Sequence, residues 1–205
     1  MISIERTGPP QTTLVKTRRF VPPDMAVFET VAVAFWAMLP AYVPNNAAVL
    51  AGGGRPIDGG REWNGRRILG DGKTWRGTAV GTLAGAVLAL VLNAVGGDVG
   101  AALGVSLPEF PVPVVLALPF GAMLGDILAS FLKRRTGRER GAAFPGVDQL
   151  DFVVVSLALA AAVAPGWFRE VFLWDVLFVV LVITPILHVA TNAIAYTLGL
   201  KDEPW

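Results

Sequence analysis

Three aspartates and a run of basic residues stand where a chain this apolar would not ordinarily carry charge. Asp126 interrupts the apolar run GAMLGDILASFL, and Asp148 and Asp151 open the next one, VDQLDFVVVSLALAAAV; between them lie Lys133, Arg134, Arg135, Arg138 and Arg140. An ionisable group at membrane depth must find a partner, an ion or a polar cavity to meet the cost of leaving water. Asp148 and Asp151, three apart at a helix start, project from one face about one turn apart. A tight hairpin through residues 133–147 brings the end of the preceding helix, with Asp126, beside them. Three carboxylates then converge near the interface, a set of hard oxygen ligands suited to Mg²⁺ completed by water and phosphates. Arginine forks and lysine ammonium groups are the usual partners of phosphate oxygens. The chemistry suggested is therefore capture of an anionic ligand together with a divalent cation. A plainer reading also exists: Asp148 caps the helix with Asp151 in its first turn, and the basic run is an orientation signal. Capping does not account for Asp126.

A second charged stretch, NGRRILGDGKTWRG, runs from Asn64 to Gly77. Its Gly72-Lys73-Thr74 resembles the end of a nucleotide phosphate loop, but that pattern needs glycine where Arg67 stands, and no strand precedes it. The local physics survives the rejection. Glycines let backbone N–H groups approach a phosphate, and Lys73 and Arg76 add charge at the start of a helix whose N-terminus favours anions. Asp58-Gly59-Gly60 upstream reads equally as a turn. His188, Asn192 and Tyr196 repeat every four residues on one helix face expected to point inward.

Composition dictates the elements that must position these groups. Of 205 residues, 54% are hydrophobic and 16% charged, with 23 glycines, which places the chain among integral membrane proteins. No cysteine is present and one histidine, which excludes disulfides, thiolate chemistry and a multi-histidine zinc site. The polar arm at residues 1–20 does not read as a signal peptide. Apolar segments predict an all-α membrane protein of one domain over residues 1–205, with five transmembrane helices at about 26–42, 77–95, 112–132, 147–164 and 171–198. Pro185 is expected to kink the last. Gly77, Gly81 and Gly85, and again Gly121 and Gly125, place small residues on one stripe, where another helix backbone can approach. The loop at 45–76 carries six basic residues and that at 133–140 five, while residues 96–111 carry none. The positive-inside rule thus puts the loops at about 45–76 and 133–146 in the cytoplasm, the N-terminus outside and the C-terminus inside. The four basic residues of the N-terminal arm argue the other way.

Taken together, these residues resemble the CDP-archaeol synthase family. The likeness rests on Pro40-Ala-Tyr with Asn45 and Asn46, on Pro56-Ile-Asp58-Gly-Gly, on Leu69-Gly-Asp-Gly-Lys73-Thr74-Trp-Arg76-Gly77, on Gly125-Asp126 with Ser130-Phe131-Leu-Lys133-Arg134-Arg135, on Pro145 with Asp148-Gln149-Leu-Asp151, and on the ending Gly199-Leu-Lys-Asp-Glu-Pro-Trp. The Pro145 cluster is also similar to the C-terminal signature of CDP-diacylglycerol synthases, with Gln149 where that signature has arginine and without its His-Gly-Gly portion. The resemblance implies that Asp126, Asp148 and Asp151 bind Mg²⁺, and that Lys133, Asp126 and Asp148 are catalytic. It implies triphosphate contacts from Lys73, Arg76, Lys133 and Arg134. Further substrate contacts would come from Asn46, Asp58, Gly70, Asp71 and Thr74 in the first loop, and from Ser130, Arg135, Pro145 and Gln149 near the second.

The implied reaction is transfer of CMP from CTP to 2,3-di-O-geranylgeranylglyceryl phosphate at a cytoplasm-facing site of a multi-pass cell-membrane protein. The implied partners are CTP, the isoprenoid ether lipid phosphate and membrane lipid, with no nucleic acid. The lipid phosphate attacks the α-phosphorus and pyrophosphate leaves, so the protein supplies position and charge rather than a nucleophile. Two alternatives remain at this level: a CDP-diacylglycerol synthase acting on ester lipid, and a small ion transporter whose acids line a path. Transporters tend to carry internal repeats, and none is visible here.

Overall fold

The computed structural model describes residues 23–137, 146–197 and 199; the N-terminal arm, Arg138, Arg140, Pro145 and the ending at 201–205 lie outside them. The described residues form helices α1 (Pro23–Tyr42), α2 (Pro44–Ala51), α3 (Trp75–Leu103), α4 (Val112–Arg135), α5 (Val147–Val163), α6 (Pro165–Val171) and α7 (Trp174–Thr197), with one small hairpin of β1 (Glu62–Trp63) and β2 (Arg66–Arg67). The core is built from small and medium side chains of several helices, among them Ala37 and Met38 of α1, Ala89 of α3, Leu118 and Ala122 of α4, Val153 and Ala160 of α5, and Val180 of α7. Outside it the helices stay apolar: Leu83, Val87, Leu116, Phe178, Leu181 and Ile186 are all exposed. Helices that are hydrophobic all round belong in hydrocarbon.

Four helical stretches are long and apolar enough to cross a membrane: Ala26–Ala51, Trp75–Leu103, Val112–Arg135 and Trp174–Ile194. The first joins α1 and α2 across a bend at Val43, where Pro44 cannot donate to the α1 ladder and starts a new helix instead. The span expected at 147–164 is not among these four: it is α5, a helix of 17 residues, ended where Pro165 opens α6. α3 is also longer than its expected 77–95. It runs through Gly96 and Gly97 to Leu103 and closes in a Schellman motif, with Gly104 at φ 70°, Val105 N–H donating to Gly100 O at 3.0 Å and Gly104 N–H to Ala101 O at 3.3 Å. The polar loop expected from residue 45 begins only after α2. At the other end, the expected span from 171 is divided: α6 takes in Val171, and α7 begins at Trp174 and continues through Pro185.

The glycine stripes do what their spacing predicted. A Cβ on Gly81 would lie 2.6 Å from both Met123 Sδ and Pro44 O, and one on Gly85 2.5 Å from Pro119 Cβ and Pro40 O, so α3 receives the α1–α2 bend and α4 together. α4 and α5 meet still more closely. A Cβ on Gly121 would lie 2.5 Å from Ser156 Cα, and one on Gly125 2.5 Å from Asp151 O. Buried Ser156 adds a hydrogen bond from its Oγ to Leu118 O at 2.9 Å. The linker between α3 and α4 is tied down just as firmly. Asn93 of α3 exchanges two hydrogen bonds with the Phe110 backbone, at 2.9 and 2.7 Å, Trp36 of α1 donates to Pro108 O at 3.2 Å, and Trp167 of α6 donates to Glu109 O at 2.7 Å.

Gly125→Val is expected to lower the melting temperature in detergent by several degrees, since overpacking a close interface costs about 1–3 kcal/mol. Gly97→Ala, whose added Cβ meets nothing within 4 Å, is expected to leave the melting temperature unchanged or raise it slightly. Equal melting curves for Gly125→Val and the parent chain would contradict the close α4–α5 packing.

Candidate active site

The α4–α5 contact at Gly125 fixes the acids. Asp126 follows Gly125 directly, and the backbone that Gly125 touches is that of Asp151 and Phe152. Asp151 is half-buried, its Oδ1 accepting from Phe152 N–H at 2.6 Å, and it lies within electrostatic range of Asp126, Asp148 and Lys73. Asp126 and Asp148 thus act on Asp151 electrostatically. Among the described residues, however, no three acidic or histidine side chains are grouped closely enough to hold a metal ion between them. Asp148 does not cap α5. The N-cap of that helix is Gly146, whose N–H donates to Gln149 Oε1 at 2.6 Å, and the Asp148 carboxylate pairs with Lys133 at 2.6 Å.

Two lysines neutralise two of the acids. Lys73 Nζ lies 2.5 Å from Asp126 Oδ2, with side chains 23% and 27% exposed, and Lys133 pairs with Asp148 at similar burial. Pairs at this depth fall between surface ion pairs, worth about 0–1 kcal/mol, and buried ones, where removing one partner costs about 3–5 kcal/mol. The first pair crosses from the 52–74 loop to α4, and the second from α4 to α5. Together they place two ammonium groups and three carboxylates at the meeting point of loop and bundle. Such a cluster can exchange partners with a polyanion: phosphate oxygens can take the lysines while cations take the carboxylates.

Asp58 holds the 52–74 loop in shape. Its buried carboxylate accepts from Gly60, Leu69 and Gly70 N–H at 3.0–3.1 Å and from Arg67 Nη2 at 2.8 Å and Nε at 3.3 Å. Arg67 above all, with the three backbone N–H groups, holds the Asp58 carboxyl well below the usual carboxylate range against the opposing effect of burial. Reciprocally, Asp58 and then Asp71 hold the Arg67 guanidinium above its ordinary value. From this hub the chain turns at Gly70, whose carbonyl accepts from Lys73 N–H at 3.2 Å, and runs antiparallel to Pro56 before α3 begins. Thr74 caps α3, its Oγ1 accepting from Gly77 N–H at 3.0 Å.

The expected site residues thus separate into groups. Lys73, Lys133, Asp126, Asp148 and Asp151 come together. Arg134 lies over the 52–74 loop, its guanidinium 3.5 Å from where a Cβ on Gly70 would stand. Arg76 is exposed and donates to Ala51 O, and Asn46 is exposed on α2. Asp58, Asp71 and Thr74 serve the loop itself, Gln149 the start of α5, and Arg135 the β-hairpin. Ser130 is half-buried on α4, and Pro145 lies outside the described residues. A cleft of roughly 600 Å³ opens on the loop, lined by Arg55, Ile57, Asp58, Arg61, Leu69 and Trp75 among others, and none of the three site aspartates lines it. Sequence reasoning missed Arg67 and Trp63. The spacing of Arg67 and Asp71, four apart, was the available signal for the first; nothing local marks the second. On the fifth apolar segment, His188 and Asn192 are half-buried as expected, whereas Tyr196 is exposed.

Because its folded-state pKa is depressed, Asp58 contributes stability that is fully present above the unfolded carboxylate value, about 4, and is lost as pH falls through the lower folded value. Amide protection over residues 58–74 is expected to persist at pH 5 and to fail only under strong acid. Asp58→Asn is expected to speed exchange there about tenfold at pH 5 and above, and to differ little from the parent chain in strong acid. Unchanged protection in that variant would remove Asp58 from its place at the centre of the loop.

A family model described as CarS-like, CDP-archaeol synthase, matches residues 27–205. The CDP-archaeol synthase of Halorubrum lacusprofundi is 73% identical over 175 residues, covering 85% of this chain and 97% of the relative. That of Natronomonas pharaonis is 66% identical over 190 residues, covering 87% and 100%. That of Methanosarcina barkeri is 47% identical over 178 residues, covering 82% and 100%. A solved structure described as an intramembrane enzyme for archaeal membrane lipids biosynthesis matches with a TM-score of 0.60 at 35% identity, over 79% of this chain and 94% of that one. With a matched region that takes in α1 from Val27, all of α2 to α7 and both lysine–aspartate pairs, this multi-pass membrane chain belongs to the CDP-archaeol synthase family of enzymes.

Proposed function

We propose that this chain transfers CMP from CTP to 2,3-di-O-geranylgeranylglyceryl phosphate, forming CDP-archaeol and pyrophosphate. The observation that carries the reading is the pair of lysine–aspartate bridges, Lys73–Asp126 and Lys133–Asp148, set beside Asp151 where the 52–74 loop meets α4 and α5. A phosphate monoester attacking a triphosphate brings two anions together, and the site must compensate charge before it can align them. Lys73 and Lys133 turn from their carboxylates to the triphosphate, and Arg134 and Arg76 are the further cations this reading assigns to it. A lipid phosphate oxygen attacks the α-phosphorus in line, the bond from that phosphorus to the bridging oxygen breaks, and pyrophosphate departs with the electron pair. Catalysis is then alignment and electrostatic compensation, without a covalent enzyme intermediate.

The carboxylates of Asp126, Asp148 and Asp151 fit Mg²⁺ in kind, being hard oxygen donors in one electrostatic environment. Two of them carry a lysine ammonium, so positive charge is already what they require. In this structure the three are not grouped closely enough to hold an ion between them; on this reading they would do so only once the lysines have turned to the triphosphate, and the ion would then offset phosphate charge. The site faces the cytoplasm on this reading, because the loops on its side carry the basic residues and the tied linker at 104–111 carries none. CTP enters from water there, and the lipid phosphate arrives laterally with its tails in hydrocarbon.

Purified protein given CTP, Mg²⁺ and the ether lipid phosphate is expected to release pyrophosphate and form a CDP-lipid, with ATP and GTP poor donors. Activity confined to an ester lipid phosphate would replace the ether assignment with a diacyl one, and ion flux in liposomes without pyrophosphate release would replace both. Asp148→Asn and Asp151→Asn are each expected to lower kcat by at least about a thousandfold while the protein stays folded and extractable. Near-normal turnover in both would move the metal site elsewhere.

A further inference from the structure

We propose that Arg135 is a positioning residue, which clamps the 62–67 hairpin onto the end of α4 and thereby holds Lys73 over the aspartates. The inference rests on the proposed function only in taking Lys73 as a triphosphate contact. Arg135 is the last residue of α4, and its guanidinium is engaged on several sides. Nη1 donates to Trp63 O at 2.9 Å, and Nη2 to Arg67 O at 3.1 Å and, more weakly, to Arg66 O at 3.4 Å. Its carbon lies 5.0 Å from the centroid of the Trp63 ring and 5.6 Å from that of Phe131, which sits one turn earlier on α4. The two rings are 6.3 Å apart. The hairpin it grips turns at Asn64-Gly65, both at positive φ (53° and 69°), the backbone shape that lets two strands reverse in two residues. Arg66 packs on the same helix end, its Nη1 2.6 Å from where a Cβ on Gly137 would stand.

From the clamp a short series of contacts leads to the chemistry. Arg67 of the hairpin grips Asp58, Asp58 holds the Leu69 and Gly70 N–H groups, Gly70 O fixes the Lys73 backbone, and Lys73 reaches Asp126. The loop is therefore fastened to α4 at Lys73–Asp126 and, nine residues further along that helix, at Arg135. One of them, Lys73–Asp126, must open for Lys73 to meet a triphosphate. Arg135 is the fastening that stays closed while it does. Two aromatic faces and three carbonyl oxygens suit a planar guanidinium and not an ammonium group, so lysine cannot replace it.

The test compares Arg135→Ala, Arg135→Lys, Trp63→Ala and the Arg135→Ala/Trp63→Ala double variant of the full chain in detergent. Two readouts are used: steady-state kinetics with CTP and the ether lipid phosphate, and amide exchange over residues 58–74. Arg135→Ala and Trp63→Ala are each expected to raise the KM for CTP about tenfold, with kcat falling less than about threefold. The double variant is expected to lie within about twofold of Arg135→Ala, because both remove one contact. Arg135→Lys is expected to restore neither KM nor exchange protection. A lysine variant with parental KM, together with a silent Trp63→Ala, would make Arg135 a direct phosphate contact and overturn the proposal. So would unchanged exchange in Arg135→Ala. The exchange readout needs no turnover, so it decides the clamp even for a chain without cytidylyltransferase activity, and Trp63→Ala probes the same contact from the hairpin side if Arg135→Ala is not extractable.

Discussion

A carboxylate carried into an apolar bundle has to be neutralised, and the bond between Lys73 and Asp126 is where this protein meets that demand across two separate parts of the chain. The pair joins a polar loop to a helix long and apolar enough to span a membrane. Everything near it serves one partner or the other. On the helix side, the glycines at 121 and 125 let α5 come close enough to place Asp148 and Asp151 in the same field. On the loop side, Asp58 and Arg67 give a glycine-rich segment a defined course, so that Lys73 arrives as a placed charge and not as a tethered one.

Much of this arrangement was legible from residue types. Asp126 stood out because nothing in the grammar of an apolar helix explains an acid there, and the small-residue stripes announced which helix faces would meet. Charge against hydrophobic surroundings and four-residue spacing are strong signals in a membrane chain, because hydrocarbon tolerates few exceptions. The parts that were not legible depend on contacts distant in sequence. α2 was hidden because PNNAAVLA is polar at its start and short, and the surface it lies on comes mainly from α3, distant in sequence. The end of α3, expected at about residue 95, lies at Leu103, because the helix continues through Gly96 and Gly97. The 17-residue length of α5 follows from Pro165, which also begins the unanticipated α6.

The basic residues illustrate a further limit. Arg67, Arg134 and Arg135 look alike in a charge count, yet the first braces an acid inside the loop, the second lies over Gly70 and the third caps a hairpin between aromatic rings. Positive charge in a membrane loop is ambiguous among orientation, structure and ligand capture, and only the partner of each guanidinium resolves it. The same holds for Asp58 and Asp71, which sequence placed with the substrate and which the structure places against Arg67.

The tied linker between α3 and α4 gives the bundle a mechanical polarity. Side chains from α1, α3 and α6 all converge on the backbone of residues 108–110, so three helices are bolted together at the end remote from the aspartates. At the other end the helices are joined by exchangeable ion pairs. The two ends therefore answer differently to salt: the neutral hydrogen bonds at 108–110 are indifferent to ionic strength, whereas the contacts beside the aspartates, apart from the close glycine packing of α4 on α5, weaken as salt screens the ion pairs.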